Sequence, residues 1–327
     1  MYYEPYQGKK RKKSVPQRRG FGEWLILAMM KLIALVLAVV LIMLGLLYAL
    51  PPGLFVVEPE DTNLALTDGL PLSCVNVLLL GTDDLRDGVQ RSDALMIASI
   101  GYGTFRLTSV MRDTLVDIPD HGKNKINAAF AYGGPELAMR TLNQNFGLNI
   151  MHYAQVDYVA LVKLIDAIGG VDITITDAER ERLNATMIEA RKVFAPLGYT
   201  AHEVTQYGEN IHLDGLQAAS YARIRKIDSD YARTNRQRTL IGAIVNKIRD
   251  NLWNPAMLYK LARTVLETVN TNMSLMQIMS LGEKALLAGT IEDLRLPAEG
   301  TYEDDGAKLT VTSYPANHQA FVDFVYK

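Results

Sequence analysis

The run WLILAMMKLIALVLAVVLIMLGLLYAL (24–50) constrains this 327-residue chain more than any other feature. Leu32 to Leu50 is 19 residues without a charge. At about 1.5 Å per residue, a helix of that length nearly spans a hydrocarbon core of about 30 Å. Lys31 can snorkel to the headgroups, and Trp24 and Tyr48 suit the two interfaces. Lys9, Lys10, Arg11, Lys12, Lys13, Arg18 and Arg19 precede the run, which places the N-terminus in the cytoplasm. A cleaved signal peptide is the alternative, but its apolar region would be shorter and YALPPG is a poor cleavage site. The expected organisation is a basic cytoplasmic tail (1–23), one transmembrane helix (24–50), an extracytoplasmic linker (51–73) and an extracytoplasmic domain (74–327).

The tail hides the charge of the rest. Eight of the 34 Lys/Arg and two of the 36 Asp/Glu lie in the first 50 residues, so residues 51–327 carry a net charge of −8. A general nucleic-acid binder is excluded by that balance. The tail's place beside a membrane helix points to the inner leaflet rather than to DNA. Cys74 is the single cysteine, so no intrachain disulfide forms. The five histidines are scattered without ligand spacing, and no phosphate loop, GxSxG or HExxH occurs.

Short β-like runs at 74–80, 94–100, 105–110, 114–118, 153–156, 171–175, 291–296 and 309–312 alternate with helical spacing at 135–146, 158–168, 216–221, 255–270 and 274–288. Residues 177–208 read as a helix and a surface loop. A long helix ends near Asp250, and a short one closes the chain. The pattern predicts an α/β fold, a three-layer sandwich with a central mixed β-sheet flanked by helices, preceded by the N-terminal transmembrane helix.

Four stretches carry candidate chemistry. In YARIRKIDSDYARTNRQR (221–238), Arg233 shares a helix face with Arg236 and Gln237, and Asp230 lies one turn earlier near the helix start. Arg223 and Arg225 point the same way if their segment is extended. The cluster suits a phosphate at a helix N-terminus, and a solvated charged face is the alternative. GTDDLRDGVQRSD (81–93) brings Asp83 and Asp93 to strand ends, where carboxylates suit a hard cation or act as a base; a polar turn is the plain reading. In SVMRDTLVDIP (109–119), Arg112 and Asp113 interrupt two β-like runs, and an Arg–Asp pair at a turn explains them equally well. In KINAAFAYGG (125–134), Lys125 and Asn127 precede small residues and a glycine pair that lets backbone approach a ligand.

Together these segments resemble the LytR–CpsA–Psr family of cell-wall enzymes. NVLLLGTD with RSD, MRDTLVDIP, KINAAFAYGG, VDYVALVKLIDAIGGVDI and YARIRKIDSDYARTNRQR stand in the family's order, over roughly residues 76–250. Two departures are Leu85, where the family often has arginine (Arg86 follows), and Met111, where it commonly has proline. The resemblance implies a bacterial, single-pass membrane protein that transfers a phosphoglycan (teichoic acid, capsule or similar) from polyprenyl pyrophosphate to peptidoglycan. It implies pyrophosphate contacts from Arg91, Arg112, Lys125, Arg223, Arg225, Arg233 and Gln237, with Asn127, Asp230 and Arg236 in support. Asp83 and Asp93 would hold Mg²⁺ or Mn²⁺ or deprotonate the acceptor, and with Arg112 they form the implied catalytic set. A hydrolase of the same lipid and a non-catalytic envelope regulator are the competing functions. Residues rich in Leu, Ile, Val and Met could line a lipid tunnel or simply fill a core.

Overall fold

The computed structural model describes residues 63–71, 73–83, 91–224 and 230–327, with only the backbone of Asp83, Arg91 and Asp230. The basic tail, the expected transmembrane helix, Leu85, Arg86 and Arg225 lie outside the described residues. Among those described, no helix is long and apolar enough to cross a membrane.

The centre is a six-stranded sheet in the order β10-β3-β2-β1-β6-β9. Its strands are β1 (Cys74–Asp83), β2 (Arg91–Gly101), β3 (Phe105–Val110), β6 (His152–Asp157), β9 (Asn270–Thr271) and β10 (Ile291–Leu296). The sheet is mixed: β1 runs parallel to β6 and β10 to β3, while β1/β2, β2/β3 and β6/β9 are antiparallel. The run VNVLLL is buried almost throughout because helices cover both faces of the sheet. A second sheet joins β4 (Thr114–Ile118), β5 (Gly122–Lys125), β11 (Tyr302–Asp304) and β12 (Leu309–Val311). β7 (Val171–Ile175) and β8 (Gly208–Leu213) form a separate ribbon. The single expected sheet is therefore three. β5, β8, β9 and β11 escape a periodicity reading because they are short and polar, held by ladder hydrogen bonds rather than by an apolar face.

The helices are α1 (Asn127–Phe146), α2 (Tyr158–Ala167), α3 (Asp177–Phe194), α4 (Gly215–Ala222), α5 (Asp230–Asp250), α6 (Pro255–Thr268), α7 (Leu275–Leu287) and α8 (Tyr314–Tyr326). α1 starts eight residues before the expected 135 and breaks at its glycine pair. Gly134 has φ 64° and ψ −158°, open only to glycine, and Pro135 restarts the helix. The pair that suggested backbone approaching a ligand is a kink inside a helix. Elsewhere, local signals set helix starts: Asp157, Thr176, Asp214 and Ser274 each accept a backbone N–H in the first turn.

Three apolar clusters fill the molecule. One lies between the central sheet, α1 and α8 and includes Leu78, Ile97, Phe146 and Phe321. Leu64, in the stretch expected as linker, is buried in it, and its carbonyl accepts from Asn143. A second joins α2, α3, α4 and part of α5 around the β7–β8 ribbon. A third, with Val77, Leu107 and Leu281, lies between the sheet's other face and α7.

Candidate functional site

The site forms where the C-terminal end of β1 meets α5. The β1–β2 register slips there: Gly81 pairs with Ala94 and Thr82 with Ser92, leaving Asp93 as the extra residue of a β-bulge. A bulge re-aims a side chain and interrupts the ladder, and bulges gather beside functional sites. The Asp93 carboxylate accepts from Arg112 at 3.2 Å. Arg233 reaches the same residue from α5, donating to its backbone oxygen at 3.0 Å and lying 3.6 Å from its carboxylate.

Arg112 sits in the turn between β3 and β4, and that turn is held from several elements. The Met111 amide donates to Leu296 of β10, Thr114 donates back to Met111, the Leu309 amide of β12 donates to Asp113, and the Asn127 amide donates to the Arg112 carbonyl. Asn127 thus supports the site through its backbone. The guanidinium of Arg112 also donates to Asp113 at 3.2 Å, and Asp113 accepts from Lys125 at 2.7 Å. The result is an alternating ladder, Arg233–Asp93–Arg112–Asp113–Lys125. Fixed charges of this kind need no reorganisation when an anion arrives.

Arg223 comes to the site from the end of α4. It is the C-cap of α4 with φ −99° and ψ −1°, so the extended segment expected around it is not present at this residue. Its guanidinium lies 4.3 Å from the Tyr158 ring centre, and the Tyr158 hydroxyl bonds Ser220 at 2.8 Å. Stacking on an aromatic face fixes a guanidinium plane while leaving its edge usable.

Arg236 departs from expectation. It is one turn from Arg233, yet its guanidinium reaches Glu179 of α3 at 3.5 Å and the Ile224 carbonyl at 3.3 Å. It is 3% exposed and pins the start of α5 to α3 and α4. Its support is structural, with Glu179 as the partner.

A cavity of about 240 Å³ opens beside the ladder. Asp93, Arg223, Arg233 and Gln237 stand at its polar side, and Leu79, Met96, Leu161, Leu240, Ile241 and Ile244 line the rest. Asp83 and Arg91 form the last backbone pair of the β1–β2 ladder, and Asp230 is the first residue of α5.

The sequence reading passed over Tyr158, Glu179 and Thr82. Tyr158 opens α2 right after the capping Asp157, and only the fold brings it to Arg223. Thr82 is buried with its hydroxyl unpartnered among the described residues, and it lines the cavity near Asp93.

Fold and site define an α/β domain with a cluster of arginines and aspartates at the rim of an apolar cavity. The LytR_cpsA_psr family model matches residues 62–321, and the chain belongs to that family. It is 30% identical over 263 residues to Regulatory protein MsrR of Staphylococcus aureus, covering 77% of this chain and 74% of that protein. The polyisoprenyl-teichoic acid–peptidoglycan teichoic acid transferase TagU of Enterococcus faecalis is 38% identical over 181 residues, 53% of each chain. Among solved structures, TagT bound to LI-WTA aligns with a TM-score of 0.60 at 24% identity, covering 77% of this chain and 89% of that one. The LytR-CPS2A-psr protein YwtF (TagT) with bound octaprenyl pyrophosphate lipid aligns with a TM-score of 0.56 at 22% identity, with the same coverage. These solved structures share the mixed α/β fold.

Proposed function

We propose that this chain is a membrane-anchored transferase that moves a phosphoglycan from polyprenyl pyrophosphate to a peptidoglycan hydroxyl, outside the cell. The observation that carries the reading is the charged ladder at the rim of the apolar cavity. A lipid pyrophosphate needs both, adjacent: cations for the phosphates and a dry channel for the chain. The volume is below the roughly 300–1,000 Å³ of pockets that engulf a whole drug-sized ligand. It suits a stretch of narrow chain. The relatives' names, a teichoic acid transferase and a structure holding octaprenyl pyrophosphate, support the same donor class.

In the proposed reaction the acceptor hydroxyl oxygen attacks the phosphorus that bears the glycan. The bond from that phosphorus to the bridging oxygen breaks, and polyprenyl phosphate leaves. Arg112, Arg233 and Arg223 meet the charge that shifts onto the leaving phosphate. Either Asp93 or Asp83 is proposed to take the hydroxyl proton, and Lys125 holds Asp113 against Arg112. Arg91 and Arg225 are proposed as further phosphate contacts.

The donor set is compatible with Mg²⁺ or Mn²⁺. Asp83 ends β1 and Asp93 lies in the bulge of the neighbouring β2, the buried Thr82 hydroxyl lacks a partner among the described residues, and such ions take one or two carboxylates plus phosphate oxygens. The ion would be held by these two aspartates and would neutralise the pyrophosphate.

The test is incubation with lipid-linked donor and peptidoglycan oligomers. Linked product supports the reading; free phosphorylated glycan alone supports a hydrolase and overturns it. A second reading, an anchored regulator without catalysis, draws on the name of the staphylococcal relative. It requires that Arg112→Ala leave wall-polymer attachment unchanged in cells.

A further inference from the structure

Helix α7 is inside out. Gln277, Ser280 and Lys284 share one face, and that face is buried. Lys284 is 0% exposed, with its ammonium 2.9 Å from the Ser280 hydroxyl and 5.8 Å from the Tyr102 ring centre. The outward face instead shows Leu275, Met276, Met279 and Leu287. A helix bordering water does the reverse. Leu266 on α6 is exposed as well, and Trp253, just before α6, is 79% exposed. Scattered exposed apolar residues need no explanation, but among the described residues eight of the fourteen large exposed ones fall within 252–287.

The position of this face selects its occupant. Ile241 of α5 lines the cavity and packs in the same cluster as Leu281 of α7. Ile244 lines it too and packs in the cluster that includes Met257 and Leu258 of α6. The exposed apolar side chains are therefore carried by helices packed on two walls of the cavity: α7 on α5, and α6 on α2, whose Leu161 lines it. The 13 residues between Leu50 and Leu64 reach at most about 45 Å, which keeps the domain near the expected membrane span. Exposed α6 carries Lys260 and Arg263 against Glu267, which Arg263 pairs at 2.7 Å, and the remaining net positive charge suits anionic headgroups.

We infer that the α6–α7 face, with Trp253, rests in the headgroup layer of the bilayer and sets the apolar cavity against the lipid from which the donor chain comes. The choice of a bilayer rests on the lipid-donor reading, but its test does not. Apolar side chains of interfacial helices sit about 5–10 Å into the headgroup–acyl boundary. Full-length protein carrying Trp24→Phe keeps Trp253 as its sole tryptophan. It is reconstituted at one copy per nanodisc of phosphatidylcholine and phosphatidylglycerol, with plain or brominated acyl chains and no donor. Trp253 emission is expected to be lost in the brominated discs. Leu275→Glu with Met279→Glu should restore it while circular dichroism stays unchanged. Equal emission in both discs overturns the inference. Quenching that needs two copies per disc also overturns it and makes the face a contact between copies. A failed transfer assay with quenching intact would remove the transferase reading and leave this face assigned.

Discussion

Arg233 of α5 holds Asp93 twice, by its backbone oxygen at 3.0 Å and by its carboxylate at 3.6 Å. One contact fixes the bulge and the other fixes the charge. Arg233 is 5% exposed, so the Asp93 carboxylate also offsets part of the cost of burying it.

That double role separates two substitutions. Asp93→Ala removes a carboxylate that lies 3.2 Å from Arg112 and 3.6 Å from Arg233, and is expected to cost about 3 kcal/mol of stability. Asp93→Asn keeps an acceptor oxygen and the bulge, so its loss is expected near 1 kcal/mol. Both are expected to lower transfer at least ~100-fold, since both remove the negative charge. Urea unfolding alongside the transfer assay checks this. Full activity in Asp93→Asn would remove the aspartate from the chemistry.

Arg236 should behave differently from Arg112. Its partners, Glu179 and the Ile224 carbonyl, belong to the packing of α5 on α3 and α4. Arg236→Ala is expected to cost about 3 kcal/mol, with residual activity tracking the folded fraction. Arg112→Ala, on a turn held by backbone bonds, is expected to keep the melting temperature within a few degrees and lose ~100-fold or more in kcat. Measuring Tm and kcat for both variants separates a brace from a phosphate contact.

Much of this arrangement was legible in the sequence, and the illegible part has definite causes. The central strands and most helix stretches follow from apolar runs and periodicity; Arg233 and Gln237 share a face as their spacing suggested, and Arg112 joins them where only the family resemblance had put it. The bulge at Asp93 is invisible because RSDALM reads as a strand in either register; only pairing with GTD shows the extra residue. Arg236 shares a helix turn with Arg233, and sequence cannot say that α3 supplies a glutamate to draw it aside. Tyr158 joins the site through a contact 65 residues away. The inverted burial of α7 is likewise a tertiary fact: LMQIMSLGEKALL shows the stripe but not which side faces in.

Thr82 offers a test of function against stability. Its buried hydroxyl has no partner among the described residues, a situation that costs free energy. Thr82→Val keeps the shape and removes that cost, so it is expected to stabilise by about 1 kcal/mol. If the hydroxyl helps to hold the ion or a phosphate oxygen, the same change weakens donor binding. A variant with a higher urea midpoint and weaker donor retention is the expected outcome; a higher midpoint with unchanged retention would assign Thr82 to packing alone.

His152 sets a pH dependence remote from the site. It begins the described β6 strand and is buried; desolvation lowers its pKa below the ordinary 6.5, partly offset by the Asn272 side chain. The folded state therefore binds fewer protons at this group than the unfolded chain does, between the lowered value and about 6.5. Stability rises with pH through that window. It is complete above about 6.5 and is lost as pH falls towards the folded value, because the unfolded chain takes up the proton first. His152→Gln keeps a polar side chain of similar size and removes the titration. The urea midpoint of the parent protein is expected to fall between pH 7 and pH 5 more steeply than that of the variant. Parallel slopes would mean that carboxylates alone govern the acid limb.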